Sequence, residues 1–229
     1  MTQKRRINIA IDGLSGCGKS STAKAVAAQL GYSFIDTGAM YRSVTLYFIQ
    51  KEVQLDNEQA VAQALEEINI QFRFNQELKK SETFLNEQNV EEEIRKLYVA
   101  QQVSQVAAIK AVRVAMVKQQ QAMGEQKGVV MDGRDIGSVV FPDAELKVFM
   151  TASTEVRAMR RKAELEEKGE VVVIDEIINN LQERDRIDST RAESPLIKVA
   201  DAVEIDTSDL VFDEQVEKVL NLALEKIRA

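Results

Sequence analysis

The chain of 229 residues has no histidine, one cysteine and two prolines. The absence of histidine excludes Ser/His/Asp and Cys/His nucleophilic sites and histidine metal centres. A single cysteine excludes an internal disulfide and a thiolate zinc cluster, and it suits a reducing cytoplasm, where we expect the protein to act. No apolar run approaches the ~18 residues that cross a membrane. Lys4, Arg5 and Arg6 are not followed by a signal-peptide apolar stretch. Basic charge is not in excess: the formal net charge of −7 argues against broad electrostatic binding to nucleic acid. Repeats and low-complexity tracts are also missing, and both prolines, Pro142 and Pro195, read as loop residues. What remains for chemistry is carboxylates, lysine, arginine and a hard cation. Phosphoryl transfer runs on such a set, because it depends on positioning and charge stabilisation.

The most informative segment is Gly13-Leu14-Ser15-Gly16-Cys17-Gly18-Lys19-Ser20, followed by Ser21. It fills the pattern G-x-x-x-x-G-K-[ST] at every fixed position. Glycines let successive N–H groups point into one hollow, and a helix starting near Gly18 adds its positive end. Lys19 supplies a mobile cation for outer phosphates, and the Ser20 hydroxyl is suited to Mg²⁺. The flanks agree. Residues 7–11 read as a buried strand and residues 20–30 as a helix stopped by Gly31.

Farther along, short strands are expected at 33–35, 68–74, 129–131, 146–150 and 202–205. Helices are expected after Asp36, over 99–118 and 154–168, and at the C-terminal end. Alternating apolar strands and helices predict an α/β fold with a parallel sheet covered on both faces. Ligands then sit at the carboxyl ends of the strands, where Asp12, Asp36 and Asp132 fall. The length allows one larger α/β domain or a core with inserted lobes, and the 45% apolar content suffices for a sizeable core; the region near 52–100 reads as an insert. Asp132, just past an apolar strand, is a candidate Mg²⁺ acid, and Asp12 is an alternative. Arg157, Arg160 and Arg161 lie on adjacent turns of one predicted helix. Arg184, Asp188 and Arg191 are spaced i, i+4, i+7, one face of another. Guanidinium forks match phosphate oxygens and stay charged.

These segments together resemble the bacterial cytidylate kinases of the nucleoside monophosphate kinase family, nearly end to end. The carriers are the loop from Ile11 to Lys19, Asp36-Thr-Gly-Ala-Met-Tyr-Arg42, Ala100-Gln-Gln-Val-Ser-Gln-Val-Ala-Ala108, Asp132-Gly133-Arg134-Asp135 through Val139-Val-Phe-Pro-Asp143, and Glu183-Arg-Asp-Arg-Ile-Asp-Ser-Thr-Arg191. The resemblance implies a P-loop kinase that uses ATP and Mg²⁺ to phosphorylate CMP and dCMP, acting as a monomer without nucleic acid or membrane partners. It implies one kinase domain over 1–229: core 1–37, 101–153 and 172–229, an acceptor lobe about 38–100, and a lid about 154–171. It places the donor at residues 13–21. It has Arg42, Arg134 and Arg191 grip the acceptor phosphate, with Thr37, Tyr41, Asp132 and Gly133 also at the acceptor site. Ser104, Arg113 and Asp135 would read the cytosine edge, and Arg184 and Asp188 would meet the sugar. Lys19, Arg134, Arg191 and the lid residues Arg157 and Arg161, or Arg160, would act on the transferred phosphate, and Ser20 and Asp132 on Mg²⁺.

Three features depart from the family pattern. The loop ends Lys19-Ser-Ser21, and Thr37 stands where serine is common. Ser104 and Arg113 are nine positions apart, which on a straight helix puts them on opposite sides. Either the helix breaks near Ala108–Lys110 or one of the two does not touch the base; the break is expected. Cys17 reads either as a thiol activated by Lys19 and the helix start, whose oxidation or alkylation would block ATP binding, or as a small filler residue. Two rivals are another small-molecule kinase with Asp36 or Asp135 as base for a hydroxyl, and a non-catalytic nucleotide-binding module. A guanine-nucleotide switch would need an Asn-Lys-x-Asp segment, which is absent.

Overall fold

The computed structural model describes residues 5–75, 77, 80–167, 169 and 171–228. Its strands are β1 (Asn8–Gly13), β2 (Ser33–Asp36), β3 (Ile70–Asn75), β4 (Lys80–Leu85), β5 (Gln88–Asn89), β6 (Val129–Gly133), β7 (Leu146–Thr151) and β8 (Val203–Asp206). Its helices are α1 (Lys19–Leu30), α2 (Thr37–Gln50), α3 (Glu58–Glu66), α4 (Leu97–Ala108), α5 (Lys110–Gly124), α6 (Thr154–Glu167), α7 (Ile174–Thr190) and α8 (Phe212–Arg228). A short 3₁₀ turn spans Glu93–Arg95 and a π-helical turn spans Ile136–Val140. Contacts divide the chain into two compact units, Met1–Phe34 with Gly124–Ala229, and Ile35–Met123.

The first unit is built on β-branched and aliphatic runs. Every residue of β1 and β6 is buried, the pattern of strands covered on both faces. Among the described residues the sheet has the order β2-β6-β1-β7-β8, β2 entering at Ser33 and running on into the second unit. β1 is parallel to β6 and β7, and β8 is parallel to β7. On one face Ile9, Ile11, Val130, Val148 and Met150 pack with Ala23, Val26 and Ala27 of α1 and Val216, Val219 and Ala223 of α8. Full burial of each larger aliphatic chain contributes roughly 1.5–3 kcal/mol. The small residues of α1 let that helix lie close to the sheet. Gly31 ends it in the left-handed conformation, its N–H reaching Ala27 and Ala28 carbonyls. α6 and α7 pair through Ala158, Leu165, Ile177 and Leu181, a small apolar contact of their own. The helix expected over 154–168 ends at Glu167, and residues 168 and 170 of the expected lid lie outside the described residues.

In the second unit Asp36 caps α2 by accepting from the Ala39 amide at 2.8 Å. α2 packs on α4. β3, β4 and β5 form an antiparallel sheet in that order. The strand expected over 68–74 is observed as β3, and the side chain of Phe74 lies outside the described residues. The helix expected over 99–118 is two helices. α4 ends at Ala108, Ile109 is extended at φ −71 and ψ 123, and α5 starts at Lys110. This is the break expected near Ala108–Lys110. The contact boundary differs from the expected lobe: residues 101–123 group with 35–100 because α4 lies against α2.

Gly13 sits where β1 leaves the sheet. A Cβ there would lie 1.9 Å from the Met150 carbonyl oxygen of the neighbouring strand, at φ +146. Gly13→Ala should therefore lower unfolding stability by about 3 kcal/mol or more, measured by urea titration.

Candidate active site

The loop from Gly13 to Gly18 joins β1 to α1, and Gly18 takes the N-cap position in the left-handed region, φ 91. No side chain caps the helix, so its first amides face the hollow without a carboxylate competitor. Lys19 is buried, and its Nζ folds back to donate to the Leu14 carbonyl at 2.5 Å. Burial, with the charge of Arg134, lowers its pKa from the ordinary lysine value, while Asp132 and Asp12 act in the opposite direction. Ser20 is exposed and its hydroxyl donates to Asp132 Oδ2 at 2.7 Å. The strand-end acid of β6 and the first helical hydroxyl thus converge. Cys17 is fully buried, its Sγ donating to the Met150 carbonyl at 3.3 Å. The thiol is therefore shielded from reagents in the folded protein, against the exposure that the reactive role requires.

Asp12 does different work from Asp132. Its Oδ1 and Oδ2 accept from the amides of Ile136 and Gly137 at 2.8 and 2.7 Å. It thereby holds the π-helical turn that follows Asp135, a buried residue at that turn's N-cap. Asp132 is the acid at the Ser20 hydroxyl.

Asp188 gathers arginines. Arg134 Nε donates to its Oδ2 at 2.7 Å, and Arg191 Nη1 reaches its Oδ1 at 3.4 Å. Arg191 Nε and Nη2 also hold the Ser194 carbonyl at 2.9 and 2.8 Å. Burial pushes the Asp188 carboxyl up, but the charges of Arg134, Arg191 and Arg184 outweigh it and hold the group below its ordinary value. Three arginines predicted from the sequence are thus brought around one carboxylate.

The lid arginines separate. Arg157 is 3% exposed and makes four bonds: to the Ser15 carbonyl at 3.2 Å, Ala152 carbonyl at 3.0 Å, Thr154 Oγ1 at 3.1 Å and Asp185 Oδ2 at 2.7 Å. It ties α6 and α7 to the loop. Arg160 donates to the Thr207 hydroxyl and carbonyl at 3.1 and 2.7 Å, and that hydroxyl donates to the Cys17 carbonyl at 2.9 Å. Arg161 pairs with partly exposed Glu164 at 2.8 Å. Asp185 and Thr207 were not singled out from the sequence. Asp185 lies in the arginine-rich segment, but its partner is 28 positions away, and no local pattern connects them.

In the second unit, Thr37 opens α2 and is buried, with Gly38 beside it. A Cβ at Gly38 would come within 2.9 Å of Arg42 Nη1, so glycine leaves room for that guanidinium to fold over the helix start. Arg42 Nη2 donates to Asp36 Oδ2 at 3.0 Å, and Arg95 Nη2 approaches the same oxygen at 3.6 Å. Burial opposes ionisation of Asp36, but Arg42 and Arg95 outweigh it and keep its pKa low. Arg113, 2% exposed, donates to the Ala107 carbonyl at 3.1 Å, and its guanidinium lies 5.2 Å from the Tyr41 ring centre. The break at Ile109 brings this arginine to the end of α4, the helix that carries half-buried Ser104.

A buried parallel sheet, a glycine loop opening a helix, and a strand-end acid on the helix's first hydroxyl define a P-loop phosphate-binding fold. A solved structure of an uncharacterized protein from Eubacterium ventriosum shares the fold at TM-score 0.50 and 12% identity, over 98% of this chain and 99% of that one. The chain matches the family described as Cytidylate kinase over residues 9–225. A protein named cytidylate kinase from Cytophaga hutchinsonii is 55% identical over 97% of this chain and 95% of that protein. Another so named, from Flavobacterium psychrophilum, is 52% identical over 95% of this chain and 98% of its own. This chain belongs to the cytidylate kinase family, transferases of the nucleoside monophosphate kinase class.

Burial, opposed by the two amide bonds, pushes Asp12 up to about 6 from 3.8. Below about 6 the protonated carboxyl loses one amide acceptor. The Ile136 and Gly137 amide resonances should titrate together near pH 6. Because the folded value is the higher one, this group's contribution to stability is greatest below 3.8, falls as pH rises to about 6, and is constant above. Amide shifts that stay flat from pH 5 to 7 would contradict it.

Proposed function

We infer that this chain transfers the terminal phosphoryl group of ATP to CMP, giving ADP and CDP, and that dCMP is accepted at the same site. The supporting observation is 55% identity over 97% of the chain to a cytidylate kinase, with the Gly13–Ser20 loop folded as strand, loop and helix. An oxygen of the CMP phosphate attacks the γ-phosphorus, and the bond to the β,γ-bridging oxygen breaks, leaving ADP. That attacking oxygen is already anionic near neutral pH, so no strong base is needed, in keeping with a chain without histidine. The barrier is repulsion between two anions, which cations lower.

The roles are those that the resemblance to the cytidylate kinases implies for these positions. The amides of residues 13–21 cradle the donor phosphates, and Lys19 leaves the Leu14 carbonyl for them. Arg42, Arg134 and Arg191 take the acceptor phosphate, alongside Thr37, Tyr41, Asp132 and Gly133. Ser104, Arg113 and Asp135 read cytosine, and Arg184 and Asp188 take the sugar. Of the lid residues, Arg161 exchanges a surface pair worth little for the transferred phosphate. Arg157 would have to abandon four buried bonds, so we assign it to holding the loop. Lid closure excludes water that would otherwise hydrolyse ATP.

The hydroxyl of Ser20 and the carboxylate of Asp132 are hard oxygen donors within 2.7 Å of each other, a set that fits Mg²⁺. Bound there, the ion would neutralise charge on the donor phosphates. Asp12 has both oxygens on amides, which favours Asp132 for this role. We take the working unit to be a single chain in the cytoplasm, with small-molecule partners. Its net charge of −7 supports the exclusion of nucleic acid. Among the described residues no helix is long and apolar enough to cross a membrane.

An ADP-release assay over a panel of acceptors tests this reading. CMP and dCMP should lead clearly, and equal turnover of AMP or of a small alcohol would refute the substrate assignment. Asp132→Asn should raise the Mg²⁺ concentration needed for half-maximal rate by about tenfold or more.

A further inference from the structure

We propose that Glu91 is a positioning residue for the acceptor phosphate: it neutralises Arg95 so that Asp36 can aim Arg42. The proposal rests on the assignment of Arg42 to the CMP phosphate made above, and it adds the inserted antiparallel sheet to that site.

Glu91 is 8% exposed and both of its carboxylate oxygens are engaged. Oε2 accepts from the Thr83 amide at 3.1 Å and the Thr83 hydroxyl at 2.7 Å. Oε1 accepts from Arg95 Nε at 2.9 Å and Nη2 at 2.5 Å. Thr83 is a rigid anchor. It is 1% exposed, pairs with Phe72 in the antiparallel ladder, and its carbonyl accepts from the Val90 amide at 2.9 Å. Arg95 ends the 3₁₀ turn four positions after Glu91, and its Nη2 also approaches Asp36 Oδ2 at 3.6 Å.

Asp36 has little capacity to spare. Its Oδ1 accepts the Ala39 amide as the cap of α2, which leaves Oδ2 to face both Arg42 and Arg95. Two guanidinium groups at one oxygen repel each other; Asp36 and Arg42 are largely buried, while the Arg95 side chain is 43% exposed, so water screens the repulsion only in part. Glu91 resolves the conflict, since the groups then alternate in sign: Glu91, Arg95, Asp36, Arg42. If Glu91 loses its charge, Arg95 moves onto Asp36 and competes with Arg42 for Oδ2. Arg42 then leaves the orientation set by the start of α2 and by the space at Gly38. The effect should fall on the phosphate of the acceptor, not on its base or on ATP.

The test uses the full chain and calorimetric binding of CMP and of cytidine, which lacks the phosphate. Glu91→Gln should weaken CMP about tenfold while cytidine stays within about twofold, the loss expected for one misdirected charged contact. KM should rise for CMP and stay put for ATP. Thr83→Val, which removes the hydroxyl and keeps the shape, should produce a smaller loss of the same kind. Adding Arg95→Met to Glu91→Gln should restore much of the CMP affinity, because the competing cation is gone. A double variant that binds CMP no better than Glu91→Gln alone overturns the proposal, and so does equal weakening of CMP and cytidine. Arg42→Ala separates the two levels. If it erases the preference for CMP over cytidine and Glu91→Gln does not weaken CMP, the relay is wrong and the Arg42 assignment stands. If Arg42→Ala leaves the preference intact, that assignment fails and takes the relay with it.

Discussion

Buried guanidinium groups need partners that hold them, and in this protein carboxylates do so. Asp188 holds Arg134 and Arg191, Asp36 holds Arg42, and Asp185 holds Arg157. An unpaired buried cation would be costly to desolvate. A cation paired too tightly would not release to the substrate. Each is held differently: Arg134 is 2.7 Å from Asp188, Arg191 is 3.4 Å from it but also bonds the Ser194 carbonyl, and Arg157 is fixed by three oxygens besides that of Asp185. The net charge of −7 is thus compatible with a site for anions, since part of the acidic complement is spent on fixing arginines.

The acids at the strand ends divide the labour. Asp132 stands at the loop's hydroxyl, where a hard cation fits. Asp12, one residue before the loop, has turned inward to cap a turn of backbone. Both are buried aspartates at corresponding ends of adjacent parallel strands. Their difference comes from what each faces: backbone amides in one case, a serine hydroxyl in the other.

The loop, the strand order's parallel character and the arginine-rich helices were legible because each is local. G-x-x-x-x-G-K-S dictates a turn and a helix start wherever a strand precedes it. The break at Ile109 was legible too, as a conflict between spacing and helical geometry. For Cys17 the sequence left a reactive thiol and a filler open; in the structure the sheet buries it against the Met150 carbonyl, which favours the filler. The three lid arginines looked equivalent on one predicted helix. Their fates differ because they meet Asp185, Thr207 and Glu164, partners of quite different burial.

By itself the sequence determined the chemistry available: with no histidine and a phosphate-binding loop, arginines and carboxylates were bound to carry it. It also determined the α/β fold, because periodicity and glycine placement act within a few residues. The tertiary structure alone decided which carboxylate meets which arginine, which aspartate turns to the backbone, and that Arg95, paired with Glu91, approaches Asp36. Those pairings depend on Coulomb energy at a few ångströms, and such distances between residues far apart in the chain exist only once the chain has folded.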